Sequence, residues 1–357
     1  KVLIVDDSAF MRNLVGKIVE GAVELTVAGK AMNGKFALAK IETLQPDVIV
    51  LDLEMPEMNG IEFLKERRMR GIMIPVIILS SLAAKGARIT MEALSLGAAD
   101  FVQKPTDVHR TELTSIADTL VQLISAYGIR YRDQKLHGKS VRTTPAPSKP
   151  IVSNINPMAR RNVTNQVDVV AIGISTGGPA ALRYVFSKID PELNVPVLVV
   201  QHMPAGFTRE FASSLDGICP LNVKEAEAGD VLSAGRVFIA PGSHHMTVVR
   251  RRLANIIQLT DDEPVNGHRP SVDVTFKSLT GVFDNKILAL IMTGMGKDGA
   301  LGIGEIYHAG GITVGQDSES SVVYGMPRVA FENGVIDSVV PLKDMAEQIN
   351  KIVASNR

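Results

Sequence analysis

The chain has 357 residues, 45% of them hydrophobic, with one cysteine and 38 Lys and Arg against 38 Asp and Glu, so its formal net charge is zero. That length suits two domains, each able to bury a core without cross-links. The lone Cys219 excludes an intrachain disulfide, and its Gly-Ile-Cys-Pro surroundings offer no base to make it a reactive thiol. No apolar run approaches the roughly 20 residues that span a bilayer, and the first residues enter a strand-like run without a charged-then-apolar leader. A cytoplasmic protein with no membrane insertion is expected. Counting Lys and Arg against Asp and Glu gives 14 to 16 for residues 1–128, 8 to 1 for 129–165 and 16 to 21 for 166–357. Neither flanking part is basic enough for a nucleic-acid surface.

From the first residue, short β-rich runs alternate with longer stretches of helical spacing. Val2–Val5, Glu24–Ala28, Val48–Leu51, Val76–Leu79 and Asp100–Val102 are the strand candidates. Phe10, Leu14 and Ile18, then Phe36, Leu38 and Ile41, carry the helical periodicity. The alternation predicts an α/β, doubly wound parallel sheet, in which ligands bind beyond the carboxyl ends of the strands. Asp6 and Asp7 follow the first strand, Asp52 the third, Ser80 the fourth and Lys104 the fifth. Three carboxylates at one sheet edge suit a hard cation such as Mg²⁺, and a lysine and a hydroxyl there suit a phosphoryl group. Asp52, between Leu51 and Leu53, is the candidate acceptor for an aspartyl-phosphate. Spacing separates Ser80 poorly from Ser81. Residues 126–165 lose periodicity, are interrupted by Pro145, Pro147, Pro150 and Pro157, and read as a basic linker.

Alternation resumes at Val167, with strand candidates Val169–Ile172, Val195–Val200, Arg236–Ile239, Ile287–Met292 and Ile312–Val314 predicting a second α/β domain with a mostly parallel sheet. The first of these runs into Gly173-Ile174-Ser175-Thr176-Gly177-Gly178-Pro179, which fits the G-x-S-x-G nucleophile elbow. It fits equally a glycine-rich phosphate cradle or a plain strand–helix turn. His202 follows the second run, and Asp298 sits in the glycine-rich turn after Ile287–Met292. A hydroxyl needs a base to become nucleophilic, and the base needs a carboxylate to fix its tautomer. Ser175, His202 and Asp298 supply these roles at one sheet edge. His308 lies in a helical stretch, His244 and His245 in a loop near the candidate site, and His268 after no apolar strand. Asp273 and Asp317 are rival acids with less distinct strand ends. The order Ser, His, Asp differs from that of α/β-hydrolases, where the acid precedes the histidine.

Two resemblances cover nearly the whole chain apart from the linker. Val-Asp-Asp-Ser-Ala-Phe-Met-Arg, Leu-Asp-Leu-Glu-Met-Pro-Glu-Met-Asn-Gly and Lys104-Pro105 resemble the receiver domain of two-component response regulators. By that resemblance Asp52 is phosphorylated, Asp6, Asp7, Asp52 and the Glu54 carbonyl serve Mg²⁺, Ser80 and Lys104 contact the phosphoryl group, and the Lys104–Pro105 bond is cis. Gly-Ile-Ser-Thr-Gly-Gly, Gln-His-Met-Pro-Ala-Gly-Phe-Thr, His-Arg-Pro-Ser-Val-Asp-Val, Thr-Gly-Met-Gly-Lys-Asp-Gly and Val-Val-Tyr-Gly-Met-Pro-Arg resemble the catalytic domain of the chemotaxis protein-glutamate methylesterases, the CheB family.

That second resemblance implies Ser175 as nucleophile, His202 as base and Asp298 as orienting acid, with Thr176 in support and the Met295 N–H as an oxyanion donor. It implies a receiver at 1–125, a linker at 126–165 and a Rossmann-like methylesterase domain at 166–357. The implied activity is demethylation of glutamate methyl esters, and deamidation of glutamines, on methyl-accepting chemotaxis receptors. A chemotaxis histidine kinase would be the phosphodonor, and the esterase chemistry would need no cofactor. The alternative is a regulator whose second domain holds a nucleotide phosphate on the 173–178 loop, but no ribose-binding acid stands about 20 residues past the glycines. A DNA-binding regulator is excluded by charge and by the lack of a helix-turn-helix pattern.

Overall fold

A computed structural model describes residues 1–81, 84–104, 110–137, 166–252 and 254–355. The chain divides into two compact units, each built on a parallel sheet. The first holds β1 (Val2–Val5), α1 (Ala9–Glu20), β2 (Val27–Ala31), α2 (Gly34–Leu44), β3 (Val48–Asp52), α3 (Gly60–Met69), β4 (Val76–Ser80), α4 (Ala84–Ser95), β5 (Asp100–Gln103) and α5 (Arg110–His137). Its strands run in the order β2-β1-β3-β4-β5, all parallel. Helices cover both faces of such a sheet, so its inner strands are apolar throughout rather than alternating. Every residue of β1 and β3 is accordingly buried. Local chemistry starts the helices: the Ser8 and Asn33 side chains accept backbone N–H groups of α1 and α2. Asn59 and Glu62 form a reciprocal capping box on α3.

Three expectations shift. The second strand lies at Val27–Ala31, three residues later than the β-rich run suggested. The buried face of α1 is Val15 and Val19, while Phe10 is 64% exposed, because the apolar stripe is shared between core and surface. Helix α5 continues to His137, past the boundary expected at 125, and its Tyr127 is buried with a hydroxyl donating to the Ala99 carbonyl. The rest of the expected linker and the bond to Pro105 lie outside the described residues.

The second unit contains β6 (Val169–Ile174), α6 (Gly178–Phe186), β7 (Val197–Gln201), α7 (Phe207–Asp216), β8 (Asn222–Glu225), β9 (Arg236–Ile239), β10 (His245–Arg251), β11 (Ala254–Thr260), α8 (Val272–Phe283), β12 (Ile287–Ile291), α9 (Ala300–Ala309), β13 (Ile312–Gln316), α10 (Met326–Glu332), β14 (Ser338–Val340) and α11 (Met345–Ala354). Seven strands form a parallel sheet in the order β14-β13-β12-β6-β7-β9-β8. Strands β10 and β11 make a separate antiparallel hairpin that the sequence reading did not anticipate, nor did it place β8 or β14. The hairpin buries Met246, Val248 and Ile257 in one apolar cluster with Phe276 and Leu279 of α8. No helix among the described residues is long and apolar enough to cross a membrane.

The chain moves from β6 outward to β7 on one side and returns to β12 on the other. The crevice beyond the carboxyl ends of these strands is thus a topological switch point, where such sheets bind ligands. Helix α8 packs close beneath it because β6 carries glycine at 173. A Cβ there would stand 2.3 Å from Val272 Cγ1. Gly173→Ala is therefore expected to lower unfolding stability by about 1–3 kcal/mol through overpacking. Val272→Ala in the same chain should recover part of that loss, a non-additivity expected of residues in contact. Urea unfolding of the two single variants and the double variant checks this, and strict additivity would refute it.

Candidate active site

Ser175 follows β6 at a sharp turn. Its N–H donates to the Thr293 carbonyl at 2.9 Å, and Gly178 N–H donates to the Ser175 carbonyl at 2.7 Å. Gly177 takes φ +78°, which favours glycine, before α6 starts with Pro179 in its first turn. Two further glycines allow the loops to touch. A Cβ on Gly294 would lie 2.8 Å from Ser175 Cβ, and one on Gly178 would lie 1.8 Å from Gln201 Oε1. The segments after β6, β7 and β12 therefore meet backbone to backbone around one hydroxyl.

That hydroxyl faces His202. Ser175 Oγ lies 3.1 Å from His202 Nδ1, and His202 Nε2 lies 2.8 Å from Asp298 Oδ2. A carboxylate only accepts, so Nε2 carries the ring proton and the Nδ1 lone pair faces the serine. The use of the two ring nitrogens is the reverse of that in the chymotrypsin triad.

Asp298 is 1% exposed, and four groups besides His202 donate to it. Ser271 Oγ, Asn266 Nδ2 and Asp273 N reach Oδ1 at 2.7, 3.0 and 3.3 Å, and Val272 N reaches Oδ2 at 2.7 Å. The two backbone donors belong to the start of α8, where the helix dipole favours an anion. Burial alone would raise the Asp298 carboxyl. The hydrogen bond and charge of His202, with Ser271 and Val272, instead hold it well below the usual carboxylate range.

The other expected residues fall as follows. The Thr176 carbonyl accepts from Thr293 Oγ1 at 2.9 Å. Met295 is 42% exposed beside Gly294, and the N–H groups of Thr176 and Met295 engage no acceptor among the described residues. Of the rival acids, Asp273 accepts from Gly302 N and Asn266 Nδ2 at 2.7 and 2.9 Å, behind Asp298. Asp317 binds Ser320 within its own loop. His245 is buried, accepting from Ser271 N at 3.2 Å and facing the Glu263 carbonyl at 3.1 Å. His244 pairs with Asp261 at the surface, and His308 lies on the outer side of α9.

Sequence reading missed Gln201, Asn266, Ser271 and Thr293, and weighed His268 as weak because no apolar strand precedes it. Gln201 Nε2 donates to the carbonyls of both Ser175 and His202, at 3.1 and 3.0 Å. The His268 ring stacks on His202. One available signal was the Asn266-Gly267 dipeptide, a mark of a tight hairpin turn. A cavity of about 490 Å³ lined by Asp168, Arg250, Asp284 and Lys286 opens at the opposite, amino-terminal edge of this sheet. It is remote from the serine and plays no part in this chemistry.

In the first unit, carboxyl oxygens of Asp6, Asp7 and Asp52 lie within 4.8 Å of one another. Lys104 Nζ lies 3.1 Å from Asp6 and 2.9 Å from Asp52. Leu53 N donates to Asp52 Oδ1 at 2.7 Å and Glu54 N at 3.4 Å. Burial pushes the Asp52 carboxyl up against the pull of Lys104. The Lys104 ammonium, disfavoured by burial, is held above its ordinary value by Asp52 and Asp6. Three carboxylates against one ammonium leave an oxygen-rich, negative site that fits a hard divalent cation. Ser80 Oγ is 2.5 Å from Thr90 Oγ1 and 3.2 Å from the Ser81 carbonyl.

Comparison with known proteins places both units. The family described as CheB methylesterase matches residues 170–349, and that described as response regulator receiver domain matches residues 2–117. The protein-glutamate methylesterase/protein-glutamine glutaminase of Treponema denticola is 53% identical over 98% of this chain and 97% of its own length. That of Pyrococcus horikoshii is 38% identical over 99% of this chain and 93% of its own. The crystal structure of the Thermotoga maritima CheB methylesterase catalytic domain is 37% identical, with a TM-score of 0.52, and covers 53% of this chain and 100% of that one.

The Asp298 network has a pH signature. A carboxyl held low in the folded state contributes stability above its unfolded pKa of about 3.9, and that contribution is lost as pH falls through the folded value. The stability gap between the parent and Asp298→Asn should therefore be largest near neutral pH and shrink steadily from about pH 5 downward. Urea midpoints across that range test this, and a constant gap would contradict an ionised Asp298.

Proposed function

The chain belongs to the CheB methylesterase family, and from that membership we propose that it is a phosphorylation-regulated serine esterase that hydrolyses glutamate methyl esters on chemotaxis receptors. The observation that carries this reading is the continuous chain from Ser175 Oγ through His202 to Asp298, at 3.1 and 2.8 Å. In the acylation step Ser175 Oγ attacks the ester carbonyl while its proton passes to His202 Nδ1. Asp298 stabilises the imidazolium through Nε2. The N–H groups of Thr176 and Met295 receive the developing oxyanion, an effect worth about 3 kcal/mol per donor. As the tetrahedral intermediate collapses and the C–O bond breaks, the leaving methoxide takes the proton from His202 Nδ1 and departs as methanol. Water, activated by the same imidazole, then attacks the acyl-serine and releases glutamate. A glutamine side chain entering the same site would lose ammonia in place of methanol, giving the glutaminase activity named for the relatives.

Residues 166–357 are the catalytic part in this reading and the first unit, through the end of α5 at His137, the regulatory part, in a cytoplasmic protein. Asp52 accepts a phosphoryl group from a histidine kinase, and Lys104 and a reoriented Ser80 bind its oxygens. Asp6, Asp7, Asp52 and the Glu54 carbonyl would hold Mg²⁺, which supplies positive charge to offset the phosphoryl oxygens. Phosphorylation then raises the esterase rate.

The test is methanol release from methylated receptor membranes. Ser175→Ala should abolish it, with a loss of at least 10³-fold expected for a catalytic nucleophile. Release at the parent rate would end the triad assignment. Acetyl phosphate with Mg²⁺ should stimulate the parent, and Asp52→Asn should remove the stimulation. A variant still stimulated would move the phosphorylation site elsewhere.

A further inference from the structure

The turn Val265-Asn266-Gly267-His268 connects the loop after β11 to the start of α8. Val265 N–H donates to the His268 carbonyl at 3.1 Å, and His268 N–H returns to the Val265 carbonyl at 3.0 Å. Asn266 and Gly267 take φ +55° and +80°. Positive φ at both central residues defines the tight type I′ hairpin, which is why Asn-Gly occupies it. The turn then presents two side chains at once. Asn266 Nδ2 reaches Asp298 Oδ1 at 3.0 Å and Asp273 Oδ2 at 2.9 Å. His268 lays its ring on that of His202, with centroids 3.8 Å apart and planes within 12°.

The His202 ring uses its two edge nitrogens for Ser175 and Asp298. Hydrogen bonds in the ring plane resist rotation within that plane but only weakly resist tilting out of it. The stacked ring supplies that missing constraint, and the His202 side chain is only 8% exposed. Burial, aided by the adjacent His202 and opposed by Asp298, pushes the His268 imidazole down to about 4. It is therefore an uncharged ring at neutral pH and does not repel the positive charge that His202 acquires when it takes the serine proton. An aromatic face within about 6 Å of a cation stabilises it, by about 0.5–2 kcal/mol.

We propose that His268 is a positioning residue of the esterase reaction, holding His202 in the plane of Ser175 and Asp298 and covering the imidazolium formed as Ser175 attacks. His268 exchanges no proton. The proton moves from Ser175 Oγ to His202 Nδ1 as the Oγ–C bond forms, and returns to the leaving methoxide as the C–O bond breaks. The role rests on the reading of Ser175 as the nucleophile.

The experiment compares kcat and KM for methanol release among the full-length parent, His268→Ala, His268→Phe and Ser175→Ala, with the Tm of each. His268→Ala should lower kcat about tenfold, the scale of a cation–aromatic contact, with KM within about twofold. His268→Phe, which restores a flat ring of similar size, should return kcat to within about threefold of the parent at the same Tm. Should His268→Ala unfold below the assay temperature, His268→Leu takes its place, filling the space without a ring. A parent-like kcat in His268→Ala, equal losses in the Ala and Phe variants, or a loss confined to KM would each overturn the proposal. Ser175→Ala separates the two readings. If it remains active, the nucleophile assignment fails; if it is dead while His268→Ala is unaffected, only the role of His268 fails.

Discussion

The catalytic unit depends on keeping one buried carboxylate ionised. Removing a charge from water costs several kcal/mol unless donors replace its hydration. Asp298 obtains those donors from the start of α8, from Ser271, from Asn266 and from His202. Because they come from three segments, the α8 start, the Val265–His268 turn and the end of β7, the requirement fixes where α8 begins, where that turn lies and which nitrogen of His202 is protonated. His202 then faces Ser175 with its Nδ1 lone pair. Asp298 thus organises the site, and Ser175 is its last member.

Glycine makes the arrangement sterically possible. Positions 173, 178 and 294 each lie where a Cβ would enter another element: Val272 of α8, Gln201 of β7 and Ser175 itself. Three loops can then converge with almost no side chain between them, and the bonds that join them are mainly backbone or side chain to backbone. Gln201 donates to the carbonyls of both Ser175 and His202, while Thr293 Oγ1 donates to the Thr176 carbonyl and accepts from Val322 and Val323 N–H. A site assembled this way holds its geometry before substrate arrives, which is what transition-state stabilisation by fixed donors requires. The first unit uses charge differently. Its three carboxylates and one lysine leave a net negative pocket, the kind of oxygen-rich setting that suits a hard cation.

Much of this was legible in the chain itself. Apolar runs ending in Asp52, Ser175 or His202 identify buried parallel strands and the polar residue at each carboxyl end, because a strand covered on both faces tolerates polar groups only where it ends. What was less legible has specific causes. Strands β10 and β11 carry Thr247, Gln258 and Arg251 on one face and end the other in Arg250 and Asn255, so no continuous apolar run marks them. Helix α1 places Phe10 in solvent, so its apolar spacing indicated a helix but not its buried face. The extension of α5 to His137 is rich in charge, which reads equally well as linker.

By itself the sequence determined that there are two α/β units, that polar side chains gather at their sheet edges, and that Ser175, His202 and Asp298 stand at strand ends. These are consequences of local pattern, set by hydrophobic period and chain order. Only the tertiary structure decided which histidine nitrogen faces the serine, which donors surround Asp298, and that His268 rather than His244 or His245 lies on His202. Those facts depend on residues brought together from segments up to 96 positions apart. Hydrogen-bond direction and ring stacking arise between such segments, so no window along the chain contains them.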